Sequence, residues 1–287
     1  MAKDGAVTVR AHAKVNLFLS VVGRRPDGYH ELESVMQQLA MHDEMAFSPA
    51  APGISLAVEG DPDVPADERN LVFRAAATLA EAAGIKPAVR ICLRKLIPSS
   101  AGLGGGSADA AAALAALNGM WDLGWPLSRL MELAACIGSD VPFALFGGTA
   151  LARGRGEVLE SLPSPGALGV LLVKPPFGVS TAAVYAGYDE QDFPPGPGAG
   201  PLVEALRAGR ADLVPGLLYN DLEKVTLAMY PVLSRLKERL LAAGAAGALM
   251  AGSGPTLFGL FPSRDQAAGA AEAFPDPDLT VWVTETI

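Results

Sequence analysis

An α+β fold is the class this 287-residue sequence predicts, and three observations predict it. Strand-like alternation opens the chain at Val7–Val22 and returns near its end at Val281–Thr284. Alanine- and leucine-rich stretches of helical character lie between them. The joining turns are short and rich in glycine and proline, in the style of antiparallel connections. Half of the residues are hydrophobic, and the 32 glycines and 23 prolines are spread through the chain, which means a sizeable core with many turns rather than disorder. The length suits two modest domains or one large one. "LPSPG" at Leu162–Gly166 divides the chain into residues 1–163 and 164–287.

In the first strand Val15, Leu17, Leu19 and Val21 point one way and Lys14, Asn16, Phe18 and Ser20 the other. Lys14 and Asn16 are then neighbours on one face, about 7 Å apart, and on pattern alone they are solvated residues of an exposed face. Pro26-Asp27-Gly28 is a turn between strands, followed by the pair Tyr29-His30. Such a pair on a loop binds a planar ligand or merely decorates the surface. Asn70–Ala83 is helical, and Val89–Leu93 is a strand that delivers the chain to "PSSAGLGGGSADAAAAL", Pro98–Leu114. The alanines there form a helix that Ser107 is placed to cap and that Asn118-Gly119 ends. A further helix covers Ser128–Ile137. In "GSDVPFALFGG" Asp140 stands two residues before Pro142, as a helix N-cap does; the competing role is a carboxylate at the mouth of a site. Gly166–Val173 is a strand, Lys174–Tyr185 a loop entering a helix, and "YNDLE" (Tyr219–Glu223) introduces another. Pro231–Ala243 is a helix, and Met250–Phe261 a glycine turn into a strand. Phe193–Pro201, "FPPGPGAGP", reads as an irregular surface excursion.

The formal charge of −9 and the absence of any basic run argue against a nucleic-acid partner. A negative chain that binds phosphate has to concentrate its cations, and only seven residues are lysine, so Lys14 and Lys95 stand out. Cys92 and Cys136 lack metal spacing and read as buried thiols in a reducing cytosol. The three histidines form no metal-type set, and no protein metal ligands are expected, although a loosely held Mg²⁺ fits. No signal peptide or membrane-length apolar run is expected, and the cytoplasm is the expected location.

The glycine segment carries the chemistry. Gly102, Gly104, Gly105 and Gly106 each cost folding entropy, which turning alone does not explain. A glycine loop running into a helix start presents unpaired N–H groups and the positive end of the helix dipole, a site for phosphate. It is not the P-loop, because no Gly-Lys-Ser or Gly-Lys-Thr occurs. Nor is it the dinucleotide fingerprint, because Ser107 stands where the last glycine belongs.

In their order, "AKVNLFL" (Ala13–Leu19), "RRPDGYHELES" (Arg24–Ser34), "IPSSAGLGGGSADAAAAL" (Ile97–Leu114), "GSDVPF" (Gly138–Phe143), "STAAVY" (Ser180–Tyr185), "NDLE" (Asn220–Glu223) and the late "GSG" resemble the GHMP family of small-molecule kinases. The resemblance implies a nucleotide-binding N-terminal domain and a ferredoxin-like C-terminal domain. It implies ATP and Mg²⁺ as cosubstrates. "AKVNLFL" with "DGYH" points within the family to a cytidine-diphosphate-linked methylerythritol as the acceptor, phosphorylated on its 2-hydroxyl in non-mevalonate isoprenoid (terpenoid) synthesis. Pro98, Ser99, Ser100, Ala101, Gly102, Leu103, Gly104, Gly105, Gly106 and Ser107 would bind ATP, with Asn70 and Leu71 on the adenine side. Asp140 would accept the hydroxyl proton. Lys14 would keep it ionised and offset charge on the moving phosphoryl group. Asn16 would orient the hydroxyl, Tyr29, His30 and Tyr185 would enclose the cytosine, and Gly252 and Ser253 would touch the substrate. The partner expected is this small molecule alone, with no nucleic acid or membrane, on a monomer or weak homodimer. A homoserine- or mevalonate-type kinase would share the loop but not Tyr29-His30. A non-catalytic nucleotide sensor would be expected to lose Lys14 or Asp140, and both are present.

Overall fold

The computed structural model describes residues 6–191 and 193–287. The elements run β1 (Val7–Arg24), β2 (His30–Pro49), β3 (Gly53–Glu59), α1 (Leu71–Ala83), β4 (Ala88–Arg94), α2 (Gly105–Met120), α3 (Leu127–Ile137), α4 (Val141–Phe146), β5 (Thr149–Gly154) and β6 (Val158–Leu162). They continue β7 (Gly169–Lys174), α5 (Thr181–Asp189), α6 (Gly200–Arg207), a 3₁₀ turn (Ala211–Leu217), β8 (Tyr219–Asn220), α7 (Asp221–Met229), α8 (Val232–Ala242), β9 (Gly247–Met250), β10 (Leu257–Phe261), α9 (Arg264–Ala271) and β11 (Thr280–Glu285). The α+β expectation is met.

The chain forms two compact units. One holds the described residues up to Ala13, Met41–Ser99 and Gly104–Gly147; the other holds Lys14–Ala40, Ser100–Leu103 and Gly148–Ile287. In the first unit β4 lies between β3, parallel to it, and the second half of β2, antiparallel to it. Helices α1 to α4 pack with these strands around Phe47, Leu79, Ile91 and Leu114. The helix α2 is buried along Ala108, Ala110, Ala111, Ala113 and Ala116, and it meets α1, α3 and α4. Its alanines are explained by that position: a helix covered on several sides is apolar all round, and small side chains let neighbours come close.

In the second unit the strand order β11-β7-β10-β9 is antiparallel throughout. With α8 before β9 and α9 before β11, this is the ferredoxin-like β-α-β-β-α-β arrangement that the resemblance implied. Leu171, Val173, Leu236, Leu240, Met250 and Leu257 fill its core. The same unit pairs the first half of β2 with β5, β5 with β6, and β1 with the short β8.

The structure corrects several local expectations. From Ala13 to Val21 β1 is buried on both faces, so Lys14 (7% exposed) and Asn16 (3%) are not solvated. The C-cap of α2 is Trp121 rather than Gly119. Cys92 and Cys136 are exposed free thiols, not buried ones; in β4 the inward residues are Val89, Ile91 and Leu93, and Cys92 alternates outward. Phe193–Pro201 is not wholly an excursion, since Ala199 is buried and Gly200-Pro201 begin α6. Among the described residues, no helix is long and apolar enough to cross a membrane.

Candidate active site

The first unit holds the helix end of the glycine segment. Gly104 is the N-cap of α2, with φ 69° and ψ 17°, and no side chain caps the helix. Ser107 is therefore not the cap that the sequence suggested; it lies within the first turn. The chain turns left-handed before the helix, which glycine does without strain. The leading N–H groups of a helix lack intrahelical partners, and here they belong to Gly105, Gly106 and Ser107. Gly105 is required by packing, because a Cβ there would lie 2.9 Å from Ile97 Cγ2 and 3.2 Å from Lys95 Nζ. Gly106 differs: a Cβ there would meet only Leu71 Cδ1, at 3.7 Å, and the residue is exposed. Its missing side chain serves no packing need and leaves the backbone open to an approaching anion.

Leu71 opens α1 and Asn70 caps it. Asn70 Oδ1 accepts from Val72 N at 2.9 Å and its Nδ2 donates to Pro65 O at 2.7 Å, so its amide is committed to the fold. Pro98 is half-buried and Ser99 exposed. Asp140 occupies the N-cap position of α4, with Pro142 in the first turn, but its side chain makes no capping hydrogen bond. The position is as expected; the capping job is not done by the carboxylate.

Beneath the loop lies a cluster that sequence reasoning only brushed, through Lys95. Lys95 Nζ pairs with Asp43 Oδ2 and with Asp109 Oδ2, the latter at 2.7 Å, and all three side chains are buried. Asp43 Oδ1 also accepts the backbone N–H groups of Leu96 and Ile97.

The second unit holds the start of the loop and the strand beside it. Ser100 has φ 51°, Ala101 and Leu103 are buried, and Gly102 has φ 79°. A Cβ on Gly102 would run into the Ala251 carbonyl oxygen, so the loop is pressed against the late glycine turn. Lys14 N donates to Leu103 O at 3.0 Å, which fixes the loop to β1. From there a buried chain runs inward: Lys14 Nζ donates to Asn16 Oδ1 (2.8 Å), Asn16 Nδ2 to Ser34 Oγ (2.8 Å), and Ser34 Oγ to Phe18 O (2.7 Å). Gly252 has φ 55°, its carbonyl accepts from Asn220 Nδ2 at 2.7 Å, and a Cβ on it would lie 3.8 Å from Asn16 Oδ1. Ser253 Oγ and Thr181 Oγ1 are 2.7 Å apart. Lys14, Asn16, Gly102, Gly252 and Ser253 are thus brought together.

Aromatic residues form a second group in this unit. The His30 and Tyr185 rings stack, with centroids 4.6 Å apart and planes 20° apart. His30 Nε2 is held by Asp189 Oδ1 at 2.7 Å. These rings are already in contact, which leaves only the outer faces of the pair open to a further ring. Tyr29 is exposed, with the Arg155 guanidinium 4.8 Å from its ring centroid. Asp221, which the sequence marked only as part of "NDLE", is fully buried and accepts from Ser20 Oγ (3.0 Å), Val21 N (2.9 Å), Tyr219 OH (2.6 Å) and Lys224 Nζ (2.8 Å). Burial opposes its charge, but these donors outweigh it and hold its carboxyl below the usual range.

Comparison with known proteins agrees with this construction. Residues 70–148 match the GHMP kinases N terminal domain and residues 202–277 the GHMP kinases C terminal domain. The chain is 54% identical, over 98% of both chains, to the 4-diphosphocytidyl-2-C-methyl-D-erythritol kinase of Pelotomaculum thermopropionicum. It is 45% identical to that of Moorella thermoacetica, over 98% of this chain and 99% of the other. A crystal structure of 4-(cytidine 5'-diphospho)-2C-methyl-D-erythritol kinase, 38% identical, superposes with a TM-score of 0.83 over 98% of this chain and 99% of that one. A glycine loop opening a buried helix, a buried lysine–asparagine pair and a ferredoxin-like sheet thus sit on a chain that belongs to the GHMP kinase family, in the group of the 4-diphosphocytidyl-2-C-methyl-D-erythritol kinases.

Proposed function

We propose that the protein transfers the γ-phosphoryl group of ATP to the 2-hydroxyl of 4-diphosphocytidyl-2-C-methyl-D-erythritol, a step of non-mevalonate isoprenoid precursor synthesis. The observation that carries this reading is the 54% identity, over 98% of both chains, to a relative named for that substrate. Phosphoryl transfer asks a protein for positioning and charge stabilisation more than for covalent chemistry, and the residues supply both. The amides of Gly102–Ser107 bind the ATP phosphates, with Pro98–Ala101 flanking them and Leu71 on the adenine side. Asn70 contributes by setting the start of α1. Asp140 accepts the proton of the attacking hydroxyl. Lys14 offsets charge on the transferred group, and Asn16, whose rotamer Ser34 fixes, orients the hydroxyl. Gly252 and Ser253 meet the acceptor's polyol and phosphate part.

Tyr185 and His30 provide a face on which the cytosine stacks, Asp189 orients the His30 ring, and Tyr29 adds a second aromatic surface. Among the described residues no group of three or more His, Cys, Asp or Glu side chains is placed to hold a metal ion. Mg²⁺ would arrive on the nucleotide, held mainly by phosphate oxygens. Bound there, it would offset negative charge on the nucleotide phosphates. Both substrates are polyanionic metabolites of the cytoplasm, and the enzyme works there. The test is kcat/KM with ATP and a panel of acceptors: the cytidine-linked substrate, its uridine analogue, mevalonate and homoserine. The cytidine-linked acceptor is expected to lead by at least a factor of about 100; a lead by mevalonate or homoserine overturns the assignment.

A further inference from the structure

We infer that Lys95, shared between Asp43 and Asp109, is a positioning residue for ATP: it ties the segment entering the glycine loop to the helix leaving it. The inference rests on the reading of that loop as the phosphate site. Asp43 Oδ1 takes the N–H groups of Leu96 and Ile97, the last residues before Pro98, and Asp43 Oδ2 takes Lys95. Asp109, in the second turn of α2, takes the same ammonium through Oδ2 at 2.7 Å. The ammonium also backs Gly105, where an added Cβ would lie 3.2 Å from it and 2.9 Å from Ile97 Cγ2. Two carboxylates sharing one lysine fix where the first N–H groups of α2 point.

The two carboxylates are not equally served. Asp43 receives three donors, and Asp109 one. Among the described residues Asp109 Oδ1 is buried with no hydrogen-bond partner. Burial pushes the Asp109 carboxyl up, Lys95 opposes and Asp43 adds, and it settles at about 7. The charged groups facing it are Lys95, from the segment after β4, and Asp43, from β2. The helices α1, α3 and α4 pack on α2 through apolar core residues. When Asp109 ionises, the cluster changes from neutral to a net negative charge close to the start of α2. That charge repels an anion at the loop, so ATP binding weakens as pH rises through neutrality.

The experiment compares wild type with Asp109→Asn, which keeps the shape and removes the ionisation. ATP and acceptor KM values are measured from pH 6 to 8.5, with Gly106→Val as a control for the loop. Taking the ratio of the two enzymes at each pH cancels the nucleotide's own titration. The ATP KM of wild type relative to the variant is expected to rise by about threefold or more across the range, with the acceptor KM ratio flat. Lys95→Met, if folded by circular dichroism, is expected to raise ATP KM by roughly 10–100-fold with less change in acceptor KM. A flat ATP ratio, with only the melting temperatures diverging, makes the cluster merely structural and overturns the inference. Should Gly106→Val bind ATP normally, the loop reading itself fails and this inference with it. Should Gly106→Val lose ATP while the Asp109→Asn ratio stays flat, the inference alone fails.

Discussion

Replacing Tyr185 by alanine separates the acceptor base from the nucleotide. In the structure Tyr185 is half-buried on α5 and stacks on His30 at 4.6 Å, and Asp189, at the end of the same helix, holds the imidazole Nε2 at 2.7 Å. The substitution removes one of two rings that can carry the base and leaves the other tethered. Stacking of a base on an aromatic ring contributes about 1–3 kcal/mol. With the imidazole still in place the loss falls within that range rather than doubling it. A shift of 1.4 kcal/mol is a factor of 10, so the KM for the cytidine-linked acceptor is expected to rise roughly 10–100-fold. ATP KM stays near wild type. The loss of the ring pair itself costs the fold about 0.5–1.5 kcal/mol, a few degrees of melting temperature at most. The control is Tyr185→Phe, which keeps the ring and is expected to stay within about a factor of 3 of wild type. Steady-state kinetics with each substrate varied in turn gives both constants. An unchanged acceptor KM in Tyr185→Ala, or a rise in ATP KM instead, refutes the pyrimidine site.

Asp140→Asn is expected to lower kcat by roughly 10²–10⁴ if it is the base. Its side chain does not cap α4, so the substitution removes no helix cap; a sharp fall in melting temperature with full turnover would make it a structural residue. Lys14→Met should behave likewise in kcat, with ATP affinity little affected. Gly106→Val probes phosphate approach better than a substitution at Gly104, which has φ 69°, or at Gly105, where Ile97 lies 2.9 Å from an added Cβ. A folded Gly106→Val enzyme should lose ATP affinity by at least about tenfold, read by isothermal calorimetry. Asp221→Asn should be less stable than wild type at pH 7, and the gap in melting temperature should close as pH falls below the ordinary carboxylate range. The sign follows from the lowered pKa of the folded state: that stability is present above the unfolded pKa and is lost through the folded one. A pH-independent gap would contradict it.

Local signals carried much of the fold. The glycine segment, the first strand and the late glycine turn were legible because glycine placement and period-2 alternation are short-range properties. The cap of α2 was misread because Ser107 has the right chemistry for a cap, while the chain instead needed a left-handed turn at Gly104. Cys92 was misassigned although the alternation of Val89, Ile91 and Leu93 in β4 already implies that it faces outward. Lys14 and Asn16 looked solvated because a strand's own pattern does not show what covers its second face. The Lys95 cluster was out of reach for another reason. Asp43 lies 52 residues from Lys95, and Ser20 lies 201 residues from Asp221, so only the folded chain joins them. His30 and Tyr185 were placed together by family resemblance, and their stacking against each other was visible only in three dimensions.

The most direct test of the account is phosphorus NMR of the reaction with ATP, Mg²⁺ and the cytidine-linked acceptor. A new monophosphate ester signal, matched by ADP and coupled to no proton, is expected, since the 2-carbon that bears the ester carries a methyl group and no hydrogen. The cytidine diphosphate signals should persist, and excess chelator should stop the reaction. An ester coupled to protons of a CH or CH₂ group, breakdown of the diphosphate, or ADP formed at the same rate without the acceptor would contradict it.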